Sequence, residues 1–144
     1  MTLVSEARSG PARILVVDDE PAVRRFAARA LLEEGYLVEE AGDGAAALAL
    51  LLAAAPVVHA VVSDIAMPRL NGVELLRALA MSRPQLPVIL MSGYAPTELE
   101  TMGIAAPCGI LAKPFPPERL VEEVRRCLQD GDPLALSGSS DAGG

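Results

Sequence analysis

Five short apolar runs, separated by stretches of helical pattern, constrain the fold of this chain more than any other feature. They are RILVV (Arg13–Val17), YLVEE (Tyr36–Glu40), VVHAVV (Val57–Val62), VILM (Val88–Met91) and GILA (Gly109–Ala112). Runs this short and this rich in Val and Ile read as strands, and those apolar throughout read as strands covered on both faces. YLVEE turns polar at its end, as an edge strand does. The segments between them carry a different period. Pro21 suits the first turn of a helix on which Val23, Phe26, Ala27, Ala30 and Leu31 recur at helical spacing, and Gly35 is a helix terminator. Asp43-Gly44 opens a second helix, about Ala45 to Ala54, so apolar all round that its period selects no buried face. A third runs from about Asn71 to Met81. Pro116-Pro117 starts the last, with Leu120, Val121, Val124 and Leu128 on one face. Pro96 to Met102 is expected as a short helix, although few apolar residues recur there. Strand and helix thus alternate five times with short connections. That order predicts an α/β fold: a parallel sheet with helices on both faces, joined by right-handed crossovers.

The chain of 144 residues is expected to hold one domain, residues 13–130, between a flexible leader (1–12) and a flexible Gly/Ser-rich tail (131–144). Its residues are 51% hydrophobic but only 3% aromatic, so the core must be aliphatic. A net charge of -7 argues against a nucleic-acid surface, which is normally basic. The N-terminus has no apolar signal segment. The longest uncharged apolar stretch, Ala45 to Ala55, falls well short of the roughly 20 residues that span a bilayer. A cytoplasmic protein without membrane contact is expected. Cys108 and Cys127 have no metal-ligand spacing and read as buried or half-exposed thiols in a reducing cytosol.

In a parallel sheet all strand C-termini lie on one edge, where α/β folds place their ligand crevice. Here that edge would collect Asp18 and Asp19 after the first run, Asp64 after the third, Ser92 after the fourth and Lys113 after the fifth. Taken alone, Asp64 could equally cap a helix or form a turn. The set is more specific. Like charges about 4 Å apart repel by roughly 4 kcal/mol at an effective dielectric near 20, so three clustered carboxylates demand a cation or a proton. An all-oxygen acidic site suits Mg²⁺, which takes one or two carboxylates and completes its shell with water and phosphate oxygens. Lys113 can pair with a carboxylate or an incoming phosphoryl group, and the Ser92 hydroxyl can donate to a phosphoryl oxygen. Gly93 keeps that side of the crevice open. These parts suit phosphoryl transfer, with the central Asp64 as the candidate nucleophile.

Four motifs carry a family resemblance: VVDDE at Val16–Glu20, DIAMPRLNG at Asp64–Gly72, MSG at Met91–Gly93 and AKPF at Ala112–Phe115. Together, in this order and at these strand ends, they resemble the receiver domain of two-component response regulators over about residues 13 to 129. The resemblance implies a flavodoxin-like (βα)5 three-layer fold with strand order 2-1-3-4-5. It implies that Asp64 takes a phosphoryl group from a histidine kinase or a histidine phosphotransfer protein. It implies Mg²⁺ held directly by Asp19, through water by Asp18, by Asp64, and by the backbone carbonyl of Ala66. Lys113 and Ser92 would meet the phosphoryl group, and Lys113-Pro114 would be a cis peptide. The chain departs from the family at Ile110, where an aromatic switch residue is usual. Tyr94 is a half-exposed loop aromatic or a residue that covers the site, and Ser-Gly-Tyr resembles receivers attached to hybrid sensor kinases. A non-enzymatic signalling module, a monomer or weak homodimer acting through protein contacts, is expected.

Two rival functions meet obstacles. A Mg²⁺-dependent phosphatase with an aspartyl-phosphate intermediate usually has an acid two residues after its nucleophile, where this chain has Ala66. A binding module that keeps only the fold would not need the full acidic set with Lys113. His59 reads as structural, Glu20 as a helix N-terminal acid, and Arg24, Arg25 and Arg29 as a solvated face that a phosphodonor could meet.

Overall fold

The computed structural model describes residues 10–53, 56–67, 70–93 and 107–130. Five parallel strands lie in the order β2-β1-β3-β4-β5. They are β1 (Arg13–Val17), β2 (Leu37–Ala41), β3 (Ala60–Asp64), β4 (Val88–Ser92) and β5 (Gly109–Ala112). Four helices accompany them among the described residues: α1 (Pro21–Glu33), α2 (Gly44–Leu52), α3 (Gly72–Ser82) and α4 (Pro117–Asp130). The expected short helix at Pro96 to Met102 lies outside the described residues, as do Tyr94 and the expected tail.

Each strand feeds two cores, because successive side chains point to opposite faces. Ile14, Val16, Ala60, Val62, Ile89, Met91 and Leu111 meet Ala27, Ala30 and Leu31 of α1 and Leu120, Val121 and Val124 of α4. Leu15, Val17, Val61, Val88 and Leu90 face the other way, onto Ala47 and Leu51 of α2 and Leu75, Leu76 and Leu79 of α3. The sheet thus settles what period alone left open for α2: Ala47 and Leu51 are buried, while Leu52 stays 65% exposed. β3 starts later than the apolar run suggests. Val57 is exposed and His59 precedes the strand, its Nδ1 accepting the Arg13 backbone N–H at 2.9 Å. His59 is therefore a structural residue that ties the start of β3 to β1.

Local chemistry sets the element ends. Asp43 caps α2 by accepting the Ala46 N–H at 2.8 Å. Asn71 and Glu74 form a reciprocal capping box at α3. Gly35, at φ +97°, closes α1: its N–H reaches the Leu32 carbonyl and the Tyr36 N–H reaches that of Leu31.

One sequence expectation is overturned. Cys108 and Cys127 are not free thiols but a disulfide, with Cα atoms 5.9 Å apart. The two sit 19 residues apart, and α4 packs back along β5, so its inward-facing Cys127 meets the residue that leads into the strand.

Candidate functional site

The carboxyl edge of the sheet gathers Asp18, Asp19 and Asp64. A carboxylate oxygen from each lies within 4.8 Å of the others. Asp18 follows β1 and is 1% exposed; Asp64 ends β3 and is 7% exposed; Asp19 is exposed. Lys113, directly after β5, bridges the two buried acids: its Nζ lies 3.1 Å from Asp18 Oδ2 and 3.0 Å from Asp64 Oδ1. Four residues from three separate strand ends therefore meet, as parallel topology requires. The Lys113–Pro114 peptide bond is cis.

Backbone contacts hold this edge together. The Asp18 N–H donates to the Ala41 carbonyl, the Ile65 N–H to that of Met91, and the Lys113 N–H to that of Ser92. Asp18 Oδ1 also accepts the Glu20 N–H at 2.9 Å, which fixes one carboxylate oxygen in the turn into α1. Gly72 starts α3 directly beneath β3. A Cβ there would run into the Asp64 carbonyl and lie 2.9 Å from Ile65 Cα, so only glycine lets the helix approach this closely.

The charges do not balance. Three carboxylates face one ammonium. Burial pushes the Asp64 carboxyl above its ordinary value of 3.8; the charges on Asp18 and Asp19 act in the same sense, and the Lys113 ammonium only partly offsets them. Burial pulls the Lys113 ammonium down, but its bonds to Asp64 and Asp18 outweigh that, and its pKa lies above 10.5. The two shifts differ in cause: burial dominates at Asp64, and the paired acids dominate at Lys113. An excess of negative charge on hard oxygen ligands is what a divalent metal ion relieves.

The other expected residues fall around this centre. Ser92 is buried at the end of β4. Gly93 is exposed, and a Cβ there would meet no atom of the described residues within 4 Å. Ala66 is exposed two residues beyond Asp64. Ile110 is half-buried against the core on the α2/α3 face. Arg24 departs from expectation. It does not lie in solvent but turns in, its Nη1 donating to the Asp18 carbonyl at 2.8 Å and its Nε to Glu40 Oε1 at 3.0 Å. The arginine-rich face of α1 could not have singled it out, because the partners come from the β1 end and from β2.

The chain belongs to the response regulator receiver domain family, whose model matches residues 14–125. It is 39% identical to the sensor kinase CckA of Brucella abortus over 86% of this chain and 13% of that protein. It is 39% identical to the response regulator MprA of Mycolicibacterium vanbaalenii over 92% of this chain and 57% of that one. It therefore spans a small part of the sensor kinase and a little over half of the response regulator. Among solved structures it resembles the response regulator TrrA of Thermotoga maritima in complex with Mg²⁺-BeF, at TM-score 0.69 and 30% identity over 81% of this chain and 98% of that chain. The sequence-based expectation of a receiver domain with strand order 2-1-3-4-5 is borne out.

Proposed function

We propose that Asp64 accepts a phosphoryl group from the phosphohistidine of a histidine kinase or a histidine phosphotransfer protein. The observation that carries this reading is the junction of Asp18, Asp19, Asp64 and Lys113 at one sheet edge. In the transfer an Asp64 carboxylate oxygen bonds to phosphorus. The phosphorus–nitrogen bond breaks, and the imidazole leaves with the electron pair. Lys113 then has a new partner, since its ammonium already lies beside Asp64 and can follow the negative charge onto a phosphoryl oxygen. The Ser92 hydroxyl donates to another. Gly93 leaves room for the incoming group, and Asp18, fixed by the Glu20 N–H, keeps the acidic side of the site in place.

Mg²⁺ is the metal proposed, held by Asp18, Asp19, Asp64 and the Ala66 carbonyl. Oxygens bound to one Mg²⁺ stand about 3 to 4 Å apart, so carboxylate oxygens already within 4.8 Å need only small side-chain turns. When bound, the ion neutralises charge on the phosphoryl oxygens and aligns them for transfer.

The partner's approach has a place to land. Ala22, Val23, Phe26, Pro114 and Phe115 line an apolar hollow of about 510 Å³ that opens beside Lys113. Phe26 is 43% exposed, and its ring lies 6.0 Å from that of Phe115. We assign this hollow and α1 to phosphodonor docking, and signalling to contacts made by a monomer or weak homodimer in the cytoplasm. Residues 13–130 form the receiver unit in this reading, with 1–12 and 131–144 as flexible flanks. Ile110 takes the place of an aromatic switch, and Tyr94 stands as the residue nearest in sequence to cover the site. The phosphatase alternative lacks an acid at Ala66.

Incubation with Mg²⁺ and acetyl phosphate, read by intact mass, tests the proposal. A phosphoryl adduct in the wild type that is lost in Asp64→Asn is expected. A wild-type protein that takes no phosphoryl group from small donors or from cognate kinases would overturn it.

A further inference from the structure

Asp19 poses a positioning problem. Its carboxylate completes the acidic cluster, yet it is exposed, and among the described residues no hydrogen bond holds it. Asp18 is held by the Glu20 N–H and Lys113, and Asp64 by Lys113. The direction of the Asp19 side chain therefore depends on its backbone, and above all on the peptide unit that joins it to Asp18.

That peptide has a dedicated brace. Its carbonyl is the Asp18 carbonyl, which accepts the Arg24 Nη1–H at 2.8 Å. Arg24 cannot swing freely, because its Nε–H donates to Glu40 Oε1 at 3.0 Å and its side chain is only 19% exposed. Gly42 lies alongside: a Cβ there would stand 3.7 Å from Nη1. On the other side of Asp18 its own N–H is bound to Ala41. The Asp18 backbone is thus fixed at both N–H and carbonyl, by groups from β2 and α1. Glu40 has a second effect. An unpaired guanidinium this close to three carboxylates would turn onto them and compete with a cation; paired with Glu40, it stays on the carbonyl.

We propose that Arg24, anchored by Glu40, is a positioning residue for metal binding: it fixes the Asp18–Asp19 peptide and so aims the Asp19 carboxylate into the site. The inference rests on the metal-binding reading above, and it makes a prediction opposite in sign to simple electrostatics. Removing a cation beside an acidic site should, by charge alone, tighten Mg²⁺ binding. Removing a brace should weaken it. Groups that orient metal ligands from outside the coordination shell typically contribute about ten- to a hundred-fold in affinity.

The test is Mg²⁺ affinity by titration calorimetry on the full chain, with circular dichroism to establish that each variant is folded. Arg24→Gln is expected to bind Mg²⁺ about tenfold more weakly than wild type. Arg24→Lys keeps the charge but offers one short donor group where two separate sites must be met, so it should recover only part of the loss. Glu40→Gln, which keeps the arginine and removes its anchor, should also weaken binding. Should Arg24→Gln misfold, the folded Arg24→Lys protein decides the matter, because charge alone predicts no change there and the brace predicts weaker binding. Wild-type-like or tighter Mg²⁺ binding in the folded variants overturns the brace. Failure of the wild type itself to bind Mg²⁺ overturns instead the metal-binding reading on which it rests.

Discussion

Asp64 is a carboxyl whose surroundings resist its charge. Its folded pKa is raised above 3.8 by burial and by Asp18 and Asp19, with Lys113 only partly compensating. The sign of the linkage follows. A carboxyl that binds its proton more tightly when folded adds stability below its unfolded pKa, and that stability is lost as pH rises through the folded value. In EDTA, Asp64→Asn should therefore melt above the wild type at pH 7. The gap should shrink toward pH 4. Lys113 acts in a different window: its raised pKa contributes stability that is complete below 10.5 and lost as pH rises through the folded value. Thermal melts across pH on both proteins check this, and an Asn variant that melts no higher at pH 7 contradicts it. Asp18, Asp19, Asp64 and Lys113 were all legible in the sequence, because each directly follows or ends an apolar run. The sharing of one ammonium between two acids was not, since it depends on how far β5 stands from β1 and β3.

Among the elements, β5 and α4 are joined by a covalent bond that no local pattern announces. Cys127 lies among Leu120, Val121 and Val124 on the buried face of α4 and so reads in sequence as one more small apolar residue. The bond also has a polar frame. Arg126 donates to the Cys108 carbonyl at 2.7 Å and pairs with the buried Glu123 at 2.7 Å. In the loop-closure model a crosslink over about 15–20 residues contributes about 3 kcal/mol by restricting the unfolded chain. Reduction with a phosphine should lower the melting temperature of the wild type. Cys108→Ser should start near the reduced value and not respond to reductant. Calorimetric scans with and without the phosphine measure this; equal midpoints would remove the bond from the stability account. In a reducing cytoplasm dithiol reductants act to open the pair, so the two redox forms have to be measured separately.

For the whole molecule, the proposed metal site would link ion binding to folding. The unfolded chain has no such cluster, since Asp18 and Asp64 are separated by the entire β1–β3 crossover. A ligand that binds only the folded form stabilises it by about 2.7 kcal/mol at a hundred times its dissociation constant. Adding Mg²⁺ should therefore raise the melting temperature relative to EDTA, and Asp19→Asn should blunt the rise. Melts in the two buffers decide it, and a midpoint that ignores Mg²⁺ tells against the proposed metal site. No described helix is long and apolar enough to cross a membrane.

Period and punctuation along the chain determined the kind and order of the described elements. Short aliphatic runs alternating with helical repeats admit few arrangements other than a parallel sheet covered on both faces, and the acids at the run ends then had to share one edge. Those signals are local, so residues within one element carry them. Tertiary structure alone decided which face of α2 is buried, that His59 ties β3 to β1, that Cys108 meets Cys127, and that Arg24 turns in to the Asp18 carbonyl. Each of these is a pairing between separate elements. Its partner distance is set by how the crossovers pack, and neither spacing nor composition records that.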